Sequence, residues 1–149
     1  MNGARAFFAL PPARKRVLLA AAALLVPVRI GVRYGSIGRI QRRSRIVAGW
    51  LVRRPPEDPG RTIPWAVTTA ARHVPGARHC LTKAIVARSM LEAVGISTGL
   101  RVGIRRDGNG VLRGHAWLDG PDGVLMDAGE DPFTFVQLPA LEEALGGGN

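Results

Sequence analysis

Val74-Pro75-Gly76-Ala77-Arg78-His79-Cys80-Leu81-Thr82-Lys83-Ala84-Ile85 is the stretch on which the reading of this 149-residue chain turns. Pro-Gly stops whatever helix precedes it, and the apolar residues after His79 return at helical spacing. The pattern predicts a turn and then an amphipathic helix from about Cys80 to Val94, with Leu81, Ala84, Ile85, Leu91 and Val94 on or near one face and Gly95 as its stop. Cys80, the only cysteine, therefore stands in the first turn of a helix. Unpaired backbone N–H groups and the positive end of the helix dipole gather there, and both suit a nucleophilic thiol and an oxyanion. Arg78 and Lys83 add positive charge nearby. Taken alone, a lone cysteine is more often buried packing than a nucleophile.

Downstream the period changes from about 3.6 to 2. Leu100, Val102 and Ile104 alternate with Arg101, Gly103 and Arg105, and Asp107-Gly108-Asn109-Gly110 is a hairpin turn. A partner strand from about Val111 to Leu118 leads through Gly120-Pro121-Asp122-Gly123 to a third strand near Val124 to Asp127. His115 lies on the second strand beside Gly114, with Trp117 on the same face as a shield against water, and Asp127 ends the third. Upstream, Thr62 can cap a helix with Pro64 in its first turn, running to about His73. Helices followed by an antiparallel meander make an α+β fold.

The charge of +10 is unevenly spread: Met1 to Arg54 holds twelve Lys and Arg and no acid, whereas from Gly114 onward there are seven acids and no Lys or Arg. The breaker run Pro55-Pro56-Glu57-Asp58-Pro59-Gly60 divides a basic, apolar helical segment (1–54) from a catalytic core (62–149), with 55–61 as linker. The apolar run Val17–Val28, broken by Pro27 and closed by Arg29, falls short of the roughly 20 residues that span a bilayer. It reads as a helix packed on the core or a partner, with membrane-surface association and insertion as the other readings. Residues 35–54 mix arginines with apolar residues at helical spacing. Sparse aromatics and no recognition motif argue against nucleic acid. A single cysteine excludes an internal disulfide, and His73, His79, Cys80 and His115 match no common zinc spacing.

Cysteine on a helix start, then histidine and aspartate on consecutive strands, resembles the transglutaminase-like branch of papain-type enzymes. Cys80-Leu81-Thr82-Lys83-Ala84, Gly95-Ile96, the Leu100-x-Val102-Gly103-Ile104 strand, His115-Ala116-Trp117-Leu118 and Asp127 after a Gly turn are similar to lasso-peptide leader peptidases, the stand-alone transglutaminase-like subunit of the split lasso B protein. The likeness runs from about Trp65 to Leu138, with Gly114 standing where related sequences often carry alanine. It implies a cysteine peptidase that cuts the leader from a ribosomally made precursor in the cytoplasm, near the inner face of the membrane or away from it, without a cofactor or metal. Cys80 would be the nucleophile, His115 the base and acid, and Asp127 the orienting group, with Asp119, Asp122 and Glu130 as rivals. A leader-recognition protein would deliver the precursor and a lasso cyclase would follow. Papain-type enzymes often place an oxyanion-hole Gln upstream; here only the distant Gln41 precedes Cys80, leaving Trp65 or His79 as the second donor. Two other readings use the same residues differently: acyl transfer to an amine through the same triad, and a non-catalytic adaptor that holds a peptide or membrane with its basic half.

Overall fold

The computed structural model describes residues 7–126 and 131–139. Helices α1 (Pro12–Tyr34), α2 (Ile37–Leu51), α3 (Pro59–Ala71) and α4 (Cys80–Ala93) lead into an antiparallel sheet, so the α+β architecture expected from the change of period is what the chain adopts.

Helix α1 is 23 residues long, well beyond the apolar run that suggested it. Pro12 opens it where no intrahelical N–H is needed, and Pro27 lies on the solvent side, where water can reach the carbonyl it leaves unpaired. Val17, Ala20, Ala21, Leu24, Leu25 and Val28 form one buried stripe at helical spacing. By length and composition α1 could cross a membrane, and 33% of that span is buried inside the fold. Helix α2 folds back along α1 and buries little except Ser44 and Ala48; the Ser44 hydroxyl lies 2.6 Å from that of Ser89 on α4.

Helix α3 starts a turn earlier than Thr62. Asp58 Oδ1 accepts the Arg61 N–H at 3.2 Å and Pro59 takes the first helical position, a cap and first-turn pair that outcompetes Thr62, which is buried inside the helix. The helix closes at Ala71, before His73. The Ala77 N–H then donates to the Val74 carbonyl at 3.1 Å around a turn in which Gly76 has φ +71°, the left-handed conformation that a Pro-Gly type II turn requires. This turn aims the chain into α4.

Helix α4 departs from the amphipathic expectation. Thr82 to Ala87 and Ser89 to Leu91 are all buried, because α1, α2 and α3 pack around it and the sheet lies against it. A helix surrounded in this way has no solvent face to keep polar. Residues from both sides of the Pro55–Gly60 run, among them Leu24, Ala48, Val67 and Ile85, share one apolar cluster.

The sheet has the order β3-β2-β1-β4, from β1 (Gly99–Arg106), β2 (Leu112–Gly120), β3 (Gly123–Met126) and β4 (Val136–Gln137), with a 3-10 turn at Pro132–Thr134 before β4. The β1–β2 hairpin closes as its turn residues predict: Asp107 accepts the Asn109 and Val111 N–H groups at 3.0 Å, and its other oxygen accepts from Arg113 Nε at 3.0 Å. Gly103 pairs with His115 and Val102 with Ala116. Leu100, Val102, Ala116 and Leu118 join the helical cluster, so strand alternation sets Gly103, His115 and Trp117 on the opposite face.

Candidate active site

Cys80 is the first residue of α4, half-buried, and its thiol is free. His79 takes the cap position with extended backbone (φ −61°, ψ 132°) and contributes no side-chain cap. The first-turn N–H groups of α4 therefore keep their donor capacity, which is what an oxyanion site beside a nucleophile needs. Cys80 packs against the rim of the helical cluster.

His115 sits in the middle of β2, 5% exposed. Its imidazole stacks on Phe135, with centroids 5.0 Å apart and planes at 28°, and on Trp117 at 5.9 Å and 19°. Rings held this way fix the plane of the imidazole and keep water from it. Trp117 thus provides the shield that its spacing predicted. Phe135 escaped the sequence reading altogether.

Phe135 is held by a short segment that returns to the far edge of the sheet. Val136 pairs with Ile104, Gln137 with Gly103, and the Leu138 N–H donates to the Val102 carbonyl at 2.9 Å. Arg105 Nη1 donates to Thr134 Oγ1 at 2.9 Å while its guanidinium lies 4.7 Å from the Phe135 ring centre, a cation–π contact. Gly103 makes this possible. A Cβ there would stand 2.8 Å from Phe135 Cβ, 3.1 Å from the Val136 carbonyl oxygen and 3.2 Å from Trp117 Cη2.

Among the acids, Asp127 and Glu130 lie outside the described residues; the described part of β3 ends at Met126, paired with Leu118. Asp119 accepts from Arg101 Nε at 2.9 Å. It stands four residues along β2 from His115, about 13 Å at strand rise, too far for direct contact. Asp122 is exposed in the β2–β3 turn. Neither described rival is placed to orient His115.

Helix α4 packs on β2, so the elements that carry Cys80 and His115 adjoin, but the side chains start from opposite faces of the sheet, Cys80 at the rim of the helical cluster and His115 on the aromatic face. A trough runs from α3 and the end of β3 to the first turn of α4. One concavity of about 390 Å³ lies between α3 (Trp65, Thr68, Arg72) and the end of β3 (Leu125, Met126), and a second of about 400 Å³ joins it at Thr68 and Arg72, bounded by Arg78 and Lys83. Lys83 is three residues past Cys80, on the same side of the helix. Trp65 is partly exposed at the trough wall with the Arg14 guanidinium 5.6 Å from its ring centre, and His79 is exposed beside Cys80. Among the described residues no group of three or more His, Cys, Asp or Glu is arranged to hold a metal.

Comparison with curated proteins and with solved structures returns no match. The sequence profile described as "Transglutaminase-like superfamily" matches residues 22–138, a span that contains α2 to β4, Cys80 and His115. Members of that superfamily are typically cysteine-dependent enzymes. With a match over most of its length, this chain belongs to the transglutaminase-like superfamily.

Proposed function

We propose that the protein is a cysteine peptidase that removes the leader from a ribosomally made lasso-peptide precursor. The observation that supports it best is a free cysteine at an uncapped helix start, on a helix packed against the strand that bears a water-shielded histidine, in a chain of the transglutaminase-like superfamily. Cys80 attacks the scissile carbonyl carbon while His115, which has to meet the thiol from the other face of β2, takes its proton. The first-turn N–H groups of α4 receive the oxyanion, and collapse of the intermediate breaks the C–N bond as His115 protonates the leaving amine. Water, deprotonated by His115, then hydrolyses the thioester and restores the thiol. Asp127 fixes the imidazole tautomer. The chemistry draws on side chains and backbone N–H groups of the protein, with no cofactor. A separate leader-recognition protein presents the precursor, a cyclase takes the product, and the reaction runs on the cytoplasmic side of the membrane.

Wild-type and Cys80→Ala protein, incubated with a candidate lasso precursor with and without the leader-recognition protein, test this by intact mass. Leader loss with wild type only, leaving a free carboxylate on the leader, is the expected result. Leader loss that survives Cys80→Ala or His115→Ala refutes it. A new amide in place of the carboxylate transfers the same residues to amine acylation, because water and amines both resolve a thioester.

A further inference from the structure

Lys83 is only 9% exposed, so its stem is packed away while its side chain lines a concavity. A cation so confined is normally matched by a carboxylate, because even partial desolvation without a partner is costly. Elsewhere in the molecule the matching is visible: Glu92 takes Arg88 at 2.7 Å and Arg45 at 3.9 Å, Asp119 takes Arg101 at 2.9 Å, and Asp107 takes Arg113 at 3.0 Å. The concavity of about 280 Å³ between α2 and α4 shows the difference, since it has an acid on its wall, Glu92, which two of its three arginines, Arg45 and Arg88, share. Among the described residues that line the concavity at Lys83 there is no such acid. Its concavity, about 400 Å³, is lined by Thr68, Ala71, Arg72, Arg78 and Lys83, and among the described residues none of its three cations forms an ion pair. Arg78 is anchored there by its own backbone neighbourhood, Nη2 donating to the Arg72 carbonyl at 3.4 Å.

Three cations from three places in the chain, the end of α3, the turn after it and the first turn of α4, thus converge on one unneutralised hollow. We propose that this hollow is a carboxylate-binding subsite for the peptide substrate. Lys83 follows Cys80 by three residues, a rise of about 4.5 Å along α4, so the hollow borders the helical turn that carries the thiol. Its continuity with the trough at Thr68 and Arg72 favours a carboxylate carried on an extended peptide, whether from an acidic side chain or a chain terminus. The catalytic meaning of the subsite rests on Cys80 being the nucleophile; its binding does not.

The single cysteine gives a direct probe. Iodoacetate and iodoacetamide alkylate the same thiol and differ in one carboxylate, so the ratio of their rates at Cys80, read by intact mass, reports the local affinity for a carboxylate. The ratio should fall about tenfold in Lys83→Met and again in the exposed Arg78→Gln, given the Coulomb attraction of a cation at helical-neighbour distance. Protection of Cys80 from iodoacetamide by N-acetyl-Gly-Glu-Gly-amide identifies a side-chain carboxylate. Protection by N-acetyl-Gly-Gln-Gly with a free terminus identifies a terminal one. A ratio unchanged across wild type, Lys83→Met and Arg78→Gln overturns the subsite, as does equal protection by inorganic phosphate or a thiol that neither reagent reaches. A protein that shows the preference but leaves the lasso precursor intact keeps the subsite and loses the peptidase reading, and one that cuts without any preference does the reverse.

Discussion

Placing a methyl group on Gly103 should uncover His115 while leaving the helical core alone. The Cβ of Gly103→Ala would sit 2.8 Å from Phe135 Cβ, closer than such atoms come, and 3.1 Å from the Val136 carbonyl oxygen, a tight contact that a small shift relieves. The side of β1 that faces the helices is carried by Leu100 and Val102, which the substitution does not touch. Relief has to come from the weaker partner. Strands β1 and β2 pair along their whole length, whereas β4 holds β1 through Val136, Gln137 and the Leu138 N–H. Overpacking of this kind costs about 1–3 kcal/mol. In a domain of this size that is about 2–12 °C in Tm. Tryptophan fluorescence can follow the displacement locally: Trp50 and Trp65 are 69% and 36% exposed, but Trp117, under Phe135, is 2% exposed. In wild type, acrylamide should leave one blue-shifted component unquenched, and in Gly103→Ala that component should become quenchable at temperatures well below the melt. A variant with stability within about 0.5 kcal/mol of wild type and a Trp117 component still protected would show that Phe135 does not seat over Gly103, and the account of how His115 is covered would fall with it.

Three further outcomes follow from local chemistry. The Arg113 hydrogen bond, with the Val111 N–H, holds the Asp107 carboxyl below its ordinary 3.8, so its contribution is present above the normal carboxylate range and is lost as pH falls through the lower folded value; Asp107→Asn should flatten the acid limb of a Tm-against-pH curve below about 4. Asp58→Ala removes the acceptor for the Arg61 N–H and should cost about 0.5–2 kcal/mol in urea unfolding, while Thr62→Ser, inside the helix, should not behave as a lost cap. In native-state hydrogen exchange the Leu138 amide should exchange well before the β1–β2 amides of Arg101 and Trp117, because the short β4 pairing opens without disturbing the hairpin; equal protection would refute a separately opening cover.

The hairpin, the Pro-Gly turn and the helix start at Cys80 were legible because each is decided locally. Asp107 through Gly110 specifies its turn by side chain and backbone alone, and Pro75-Gly76 supplies the φ +71° its turn demands. Two proline-containing starts for α3 lie close together in the sequence, a turn apart, and choosing between them needs the observed bond from Arg61 to Asp58. Periodicity also misjudged α4: whether a helix keeps a solvent face depends on what surrounds it, and the sequence near Cys80 carries no sign that α1 and α2 will cover it. The length of α1 was underestimated for a related reason, since a proline on a solvent-facing turn need not end a helix. Strand β4 was invisible because a two-residue strand has no period to detect.

That last omission matters most for the site. Cys80, His115 and Trp117 can be found by residue type and spacing, but the environment of His115 is made by Phe135, reached only through the pairing of Val136 with Ile104 across the sheet. Strand alternation keeps the two apart: one face of β2 is committed to the helical core through Ala116 and Leu118, and the other carries His115 and its aromatic cover. The division also predicts how substitutions should sort. Changes at Ala116 or Leu118 should report mainly as lost stability, about 2–5 kcal/mol for Leu118→Ala, whereas Phe135→Leu should alter the reactivity of the His115 environment at a much smaller cost in urea unfolding. If Phe135→Leu instead unfolds the protein as severely as Leu118→Ala, the aromatic face is part of the core and the separation of roles is wrong.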